Sequence, residues 1–152
     1  MSALRLLIFL ALAFVPAAIG ALFRPGAWYA TLAKPAWTPP GWLFGPVWTA
    51  LYATIGVAGW LAWEASAGRS RLVPFAVFAV QLLLNGLWSW LFFGLRRPDL
   101  ALVDIVLLLA LIGANIAVFA RIRGVAGALL VPYLLWVAFA TVLNAAIWRL
   151  NA

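Results

Sequence analysis

Leu72 to Leu95 reads LVPFAVFAVQLLLNGLWSWLFFGL, with no charged residue. About 20 apolar residues in a helix cross the hydrocarbon core of a bilayer. Only helices and closed barrels satisfy their backbone in lipid, and this run shows no strict apolar–polar alternation, so it reads as a membrane-spanning helix. Working outward, Leu6 to Phe23, Leu43 to Trp63, Ile105 to Ala120 and Gly124 to Trp148 are also free of charge. The expected fold class is therefore all-α: a multi-pass integral membrane bundle of five transmembrane helices, over about residues 4–23, 43–66, 72–95, 99–121 and 124–149. These make one domain, 1–152. The short breaks after the second, third and fourth spans force antiparallel neighbours. The longest connection, RPGAWYATLAKPAWTPPGW from Arg24 to Trp42, has room for a structure of its own.

Composition narrows the chemistry. The chain is 68% hydrophobic, which excludes an ordinary soluble domain. It has no His, no Cys and one Met, Met1. Zinc or other metal sites built on those ligands, thiol nucleophiles and the usual side-chain ligation of haem are thereby excluded. The net charge of +7 points to a membrane surface and not to nucleic acid. Its carriers stand at span ends, where long basic side chains reach the headgroups. Arg5, Arg69, Arg71, Arg121 and Arg123 fall on one side, and Arg24, Lys34, Arg96, Arg97 and Arg149 on the other. The balance leaves orientation open. Read alone, the first segment also matches a signal peptide with a cleavage site near Ala18 to Ala21, but its uncharged run continues through Phe23 and is long enough to span.

Polar groups inside spans are costly in lipid and mark candidate sites. Gln81, Asn85, Trp88 and Phe92 share a face of the third helix at helical spacing. Asp104 and Asn115 lie close to one face of the fourth. Trp136, Ala140 and Asn144 recur every four residues on the fifth, beside Leu143, and Trp48, Tyr52 and Ile55 share a side of the second. Interhelical hydrogen bonding explains any one of these. Together they suggest an internal pocket with Trp faces and a few amides. Ten Trp exceed what packing requires; Trp60, Trp63 and Trp148 suit the interfacial belt. Pro16 should kink the first helix, and the small residues Ala13, Ala17 and Gly20 near it admit a close neighbour. The loop is stiffened by Pro25, Pro35, Pro39 and Pro40, and is expected to fold over one end of the bundle as a lid through Trp28, Tyr29, Trp37, Pro39 and Pro40. Arg24 and Lys34 flank it as candidates for an anionic group.

The segments WYATLAKPAWTPPGW into GPVWTALY, LLLNGLWSWLFFG, ALVD and PYLLWVAFATVLNAAIWRLN, in that order, resemble the TspO/MBR family of tryptophan-rich sensory and translocator proteins, and its bacterial members in particular. The resemblance covers about Trp28 to Asn151. It implies five transmembrane helices, a homodimer and a bacterial membrane. It also implies binding of porphyrins such as protoporphyrin IX and, in mitochondrial members, of cholesterol and benzodiazepine-type ligands. By resemblance the ligand pocket would use Trp48, Asn85, Trp88, Trp136, Ala140 and Leu143. Light- and oxygen-dependent porphyrin breakdown, as in some bacterial members, would use Trp28 and Trp136. Two positions depart from the mitochondrial pattern: Ala145 replaces the Tyr of the cholesterol motif, and Leu100 stands where a pocket Trp precedes Asp104.

The leading expectation is a porphyrin-binding membrane protein acting in sensing, transport or disposal. It needs no cofactor, since the porphyrin is ligand or substrate; its partners are lipid, planar apolar molecules and a second copy. An enzyme that degrades porphyrin through Trp28 and Trp136 is the alternative. A cation-coupled transporter fits less well, because Glu64 and Asp104 lie near span ends and not at mid-membrane.

Overall fold

A computed structural model describes residues 2–152, and among them every regular element is helical. α1 is Ser2–Leu22, α2 Ala27–Thr31, α3 Gly41–Ala65, α4 Leu72–Ser89, α5 Pro98–Ile122, α6 Gly124–Ala128 and α7 Val131–Asn151. α4 runs on into a π-helical turn, Trp90–Gly94. Four stretches are long and apolar enough to cross a membrane: α1, α4 with its π turn, α5, and α6 with α7. The chain is thus a multi-pass membrane protein. α3, with 25 residues, is not among these four.

Two expectations change in detail. A single helix over 124–149 is in fact two, parted by a turn at Leu129 and Leu130. Pro132 explains the restart, because a proline at the head of a helix sacrifices no intrahelical bond. Within the 24–42 connection, α2 forms one and a half turns that composition alone did not reveal. Pro16 sits buried inside α1, which continues unbroken through it.

α1 packs on α3 and α4, α4 on α5, and α5 on α7, while α6 wedges between α5 and α3. α3 and α7 meet only slightly, so the ring of helices is loosest there. Lipid tails are as apolar as leucine, so helices in a bilayer associate by close contact more than by hydrophobic drive. The glycines show where that contact is closest. A Cβ on Gly56 would stand 2.9 Å from the Leu10 Cα, and one on Gly127 2.9 Å from the Ile116 carbonyl oxygen. Outward-facing residues remain apolar: Leu83 is 66% and Leu135 65% exposed, a surface suited to acyl chains.

A dense aromatic cluster fills the end holding the start of α1 and the close of α3. There Phe9, Trp63, Phe75, Phe78 and Phe119 interlock with ring centroids 5.0–6.3 Å apart. Trp63, expected in the interfacial belt, belongs to this cluster, and the Arg71 guanidinium lies 4.1 Å from its ring. The opposite end, beneath residues 24–42, is hollow.

Candidate functional site

The hollow is a cavity of about 590 Å³. Its walls come from the end of α1, the start of α3, the end of α4, the first half of α5 and the stretch of α7 from Trp136 to Ile147. Antiparallel packing brings these ends together, so residues far apart in sequence converge. Trp48, Asn85, Trp88, Trp136, Ala140 and Leu143 all line it. The π turn adds to one wall. Phe92 and Phe93 are neighbours in sequence, yet both face the cavity, consistent with a locally widened helix.

Nine aromatic rings line the walls, among small and aliphatic residues. Trp48 stacks on Tyr52 at 5.2 Å, and Trp88 on Phe92 at 5.0 Å. Trp136 meets Phe44 edge-on at 5.8 Å and Phe139 at 5.5 Å. These contacts set ring orientations on the rigid helices before any occupant arrives. The indole N–H of Trp88 donates to Asn144 Oδ1 at 2.9 Å, and Asn144 Nδ2 donates to the Pro98 carbonyl at 2.8 Å. Asn144 thereby joins α4, α7 and the start of α5. Among the described residues, the buried Trp136 indole N–H has no partner.

A buried polar chain closes the inner end. The Tyr52 hydroxyl donates to Asn85 Oδ1 at 2.8 Å, Asn85 Nδ2 donates to the Tyr133 oxygen at 2.7 Å, and the Tyr133 hydroxyl donates to Gln81 Oε1 at 2.9 Å. Asn85 is thus a structural hinge between α3 and α7 as well as a wall residue. Tyr133 was not singled out by sequence; it follows Pro132 at the head of a helix, and nothing local marks it as the centre of a network. Asp104 and Asn115 are buried on α5, with neither carboxylate nor amide atoms hydrogen-bonded. They lie outside the cavity lining.

The 24–42 connection covers the outer end. Pro25, Tyr29, Lys34, Thr38 and Pro39 line the cavity, whereas Trp28, Trp37 and Pro40 do not. Trp28 stands edge-on to Phe92 at 6.0 Å, and Trp37 edge-on to Phe139 at 5.8 Å. Trp28 and Trp136, paired by resemblance, therefore occupy different settings: one behind Phe92, one in the wall. Arg24 and Lys34 both line the outer end. Among the described residues neither has an acidic partner; the ion pairs are Arg5–Glu64 and Arg97–Asp99. Lys34 Nζ donates to the Leu32 carbonyl at 3.0 Å and lies 4.5 Å from the centre of the Tyr29 ring. Burial raises the Tyr29 phenol above its ordinary pKa. The cavity is therefore flat-walled and apolar inside and cationic at its mouth.

The TspO/MBR family model matches residues 6–149. A tryptophan-rich protein TspO of Chlorobaculum tepidum is 46% identical over 84% of this chain and 82% of its own. The human translocator protein is 41% identical over 82% of this chain and 75% of its own. A tryptophan-rich sensory protein of Cereibacter sphaeroides is 39% identical over 95% of this chain and 90% of its own.

Proposed function

The chain belongs to the TspO/MBR family, and on that premise we propose that it is a five-span membrane protein whose cavity binds porphyrins of the protoporphyrin IX class, for their sensing, transport or disposal. α3 serves as the remaining span, since 25 helical residues rise about 37 Å, more than the ~30 Å of a hydrocarbon core. The homodimer implied by the resemblance belongs to the same reading.

One observation carries the binding proposal: a partly open cavity with nine aromatic rings in its walls and, at one end, two cations that have no acidic partner among the described residues. Its size lies within the ~300–1,000 Å³ typical of small-molecule sites. A porphyrin is a broad flat apolar disc with its carboxylates at one edge. Trp48, Trp88 and Trp136 offer faces or edges to the disc. Arg24 and Lys34 are placed to meet the carboxylates. The free Trp136 indole N–H offers a hydrogen bond to an acceptor on the occupant. With no His, Cys or internal Met, the hold is by stacking and polar contacts and not by axial ligation from those side chains. Residues 24–42 act as the lid.

Light-driven breakdown through Trp28 and Trp136 has weaker support, because Phe92 separates Trp28 from the cavity edge. Titration of the purified protein with protoporphyrin IX in the dark, followed by illumination in oxygen, tests both readings. Saturable binding with quenched Trp fluorescence is expected, and absence of saturation overturns the proposal. Bleaching beyond that of an unrelated Trp-rich membrane protein, and lost in Trp28→Phe or Trp136→Phe, would make the protein an enzyme.

A further inference from the structure

The 24–42 connection is fastened to the bundle in two different ways. Trp28 and Tyr29 lean on Phe92 and Phe93, and Trp37 leans on Phe139. Ring contacts of this kind hold area but tolerate sliding. Ala33 is held by direction. Asn151 Oδ1 accepts from the Ala33 N–H at 2.9 Å, and Asn151 Nδ2 donates to the Ala33 carbonyl at 2.8 Å. Nδ2 also donates to the Ile147 carbonyl at 2.7 Å, which fixes the amide on its own helix. Among the described residues, the other side-chain hydrogen bonds of this connection are local. Arg24 reaches Ala21, Thr31 reaches Trp28, Lys34 reaches Leu32 and Thr38 reaches Pro35.

We propose that Asn151 is the latch that holds this loop shut over the cavity, a positioning residue that sets how fast an occupant leaves. The inference rests on reading the cavity as a ligand site. Ala33 lies outside any helix, so its N–H and C=O need partners from elsewhere. A primary amide presents one acceptor and two donors, and here it serves both backbone groups of a single residue. The site of attachment matters as much as the bonds. Ala33 directly precedes Lys34, which lines the cavity mouth, and Asn151 sits one turn beyond Ile147, which lines the wall. The latch thus joins a lid residue to a wall helix. The bonds are exposed, where water or a headgroup competes for them. Such bonds open far more readily than buried ones, as release demands.

Amide hydrogen exchange and stopped-flow release of protoporphyrin IX, on the full chain in lipid nanodiscs, test the latch. Asn151→Ala should speed exchange across residues 32–34 by about ten-fold and porphyrin release by about five- to ten-fold, with association changed less than about two-fold. Asn151→Asp keeps the acceptor but loses the donors, and should fall between Asn151→Ala and the native protein. Leu150→Ala, an exposed residue on the same turn, should leave both rates as they are. Unchanged loop exchange in Asn151→Ala overturns the latch. So does equal acceleration in Leu150→Ala, which would mean general fraying of the last turn. Faster exchange with unchanged release overturns its control of residence. A native protein that fails to bind protoporphyrin IX overturns the site reading, and the exchange data then decide alone whether Asn151 fastens the loop.

Discussion

The two ends of the bundle use the same kinds of residue to opposite effect. At one end, Phe9, Trp63, Phe75, Phe78 and Phe119 fill the space between helices with interlocked rings. At the other, Phe44, Trp48, Trp88 and Trp136 surround a cavity. Aromatic content does not separate the two; what closes each end does. Gly59 meets Phe9 and Phe78, and Gly127 meets Ala120 and Ile116, so helix backbones draw together until the rings touch. At the hollow end, α1 and α4 still approach closely, Gly86 against Ile19 and Gly94 against Phe23, but Gly41 and Gly45 at the head of α3 have nothing within 4 Å of an added Cβ. There a loop, and not a helix crossing, forms the cover. Small residues thus allow close packing only where an opposing helix approaches.

Four tests, one of them a pair of substitutions, break or sharpen that contrast, from the largest expected effect to the smallest. Phe119→Ala should destabilise most, by about 3 kcal/mol. That is the low end for a buried Phe truncation, because in lipid the cavity term remains while the transfer term shrinks. A thermal unfolding scan in detergent checks it, and porphyrin affinity of the protein still folded should stay the same. Gly56→Val should cost roughly 2 kcal/mol, since the added Cβ meets the Leu10 backbone and one of the two helices must shift. Its counterpart at the hollow end, Gly45→Ala, should be neutral or slightly stabilising. Equal losses in the pair would refute the contrast.

Asn85→Ala should lower stability by about 1–2 kcal/mol, because it strands the Tyr52 hydroxyl and removes a donor to Tyr133. A loss of porphyrin affinity with unchanged stability would instead assign Asn85 to the occupant alone. Trp136→Phe should leave unfolding nearly unchanged and weaken porphyrin binding by about 1 kcal/mol, by equilibrium titration, since its indole N–H has no protein partner to lose. Unfolding that shifts as much as in Phe119→Ala would place Trp136 in the packed end by behaviour.

Much of the site was legible because helical spacing is local information. Trp136, Ala140 and Asn144 fall on one face wherever that helix is placed, and so do Gln81, Asn85 and Trp88. The resemblance added which faces belong to one pocket, and the cavity contains Trp48, Asn85, Trp88, Trp136, Ala140 and Leu143 together. Trp28 shows the limit of that reasoning. The resemblance gave it a role without giving its place, which is edge-on to Phe92, while Tyr29 and Lys34 line the mouth.

The sequence by itself determined that this chain lives in a membrane, roughly where its long apolar helices run and which side of each is polar. Uncharged length and a 3.6-residue period depend only on neighbours along the chain. The tertiary structure alone decided three other things: that Tyr133 joins Asn85 to Gln81, that Asn151 reaches across to Ala33, and that one end is packed while the other is hollow. Each depends on residues far apart in sequence meeting at a chosen crossing. The crossing is set by where two backbones can touch, as Gly56 does against Leu10, and no single helix contains that information.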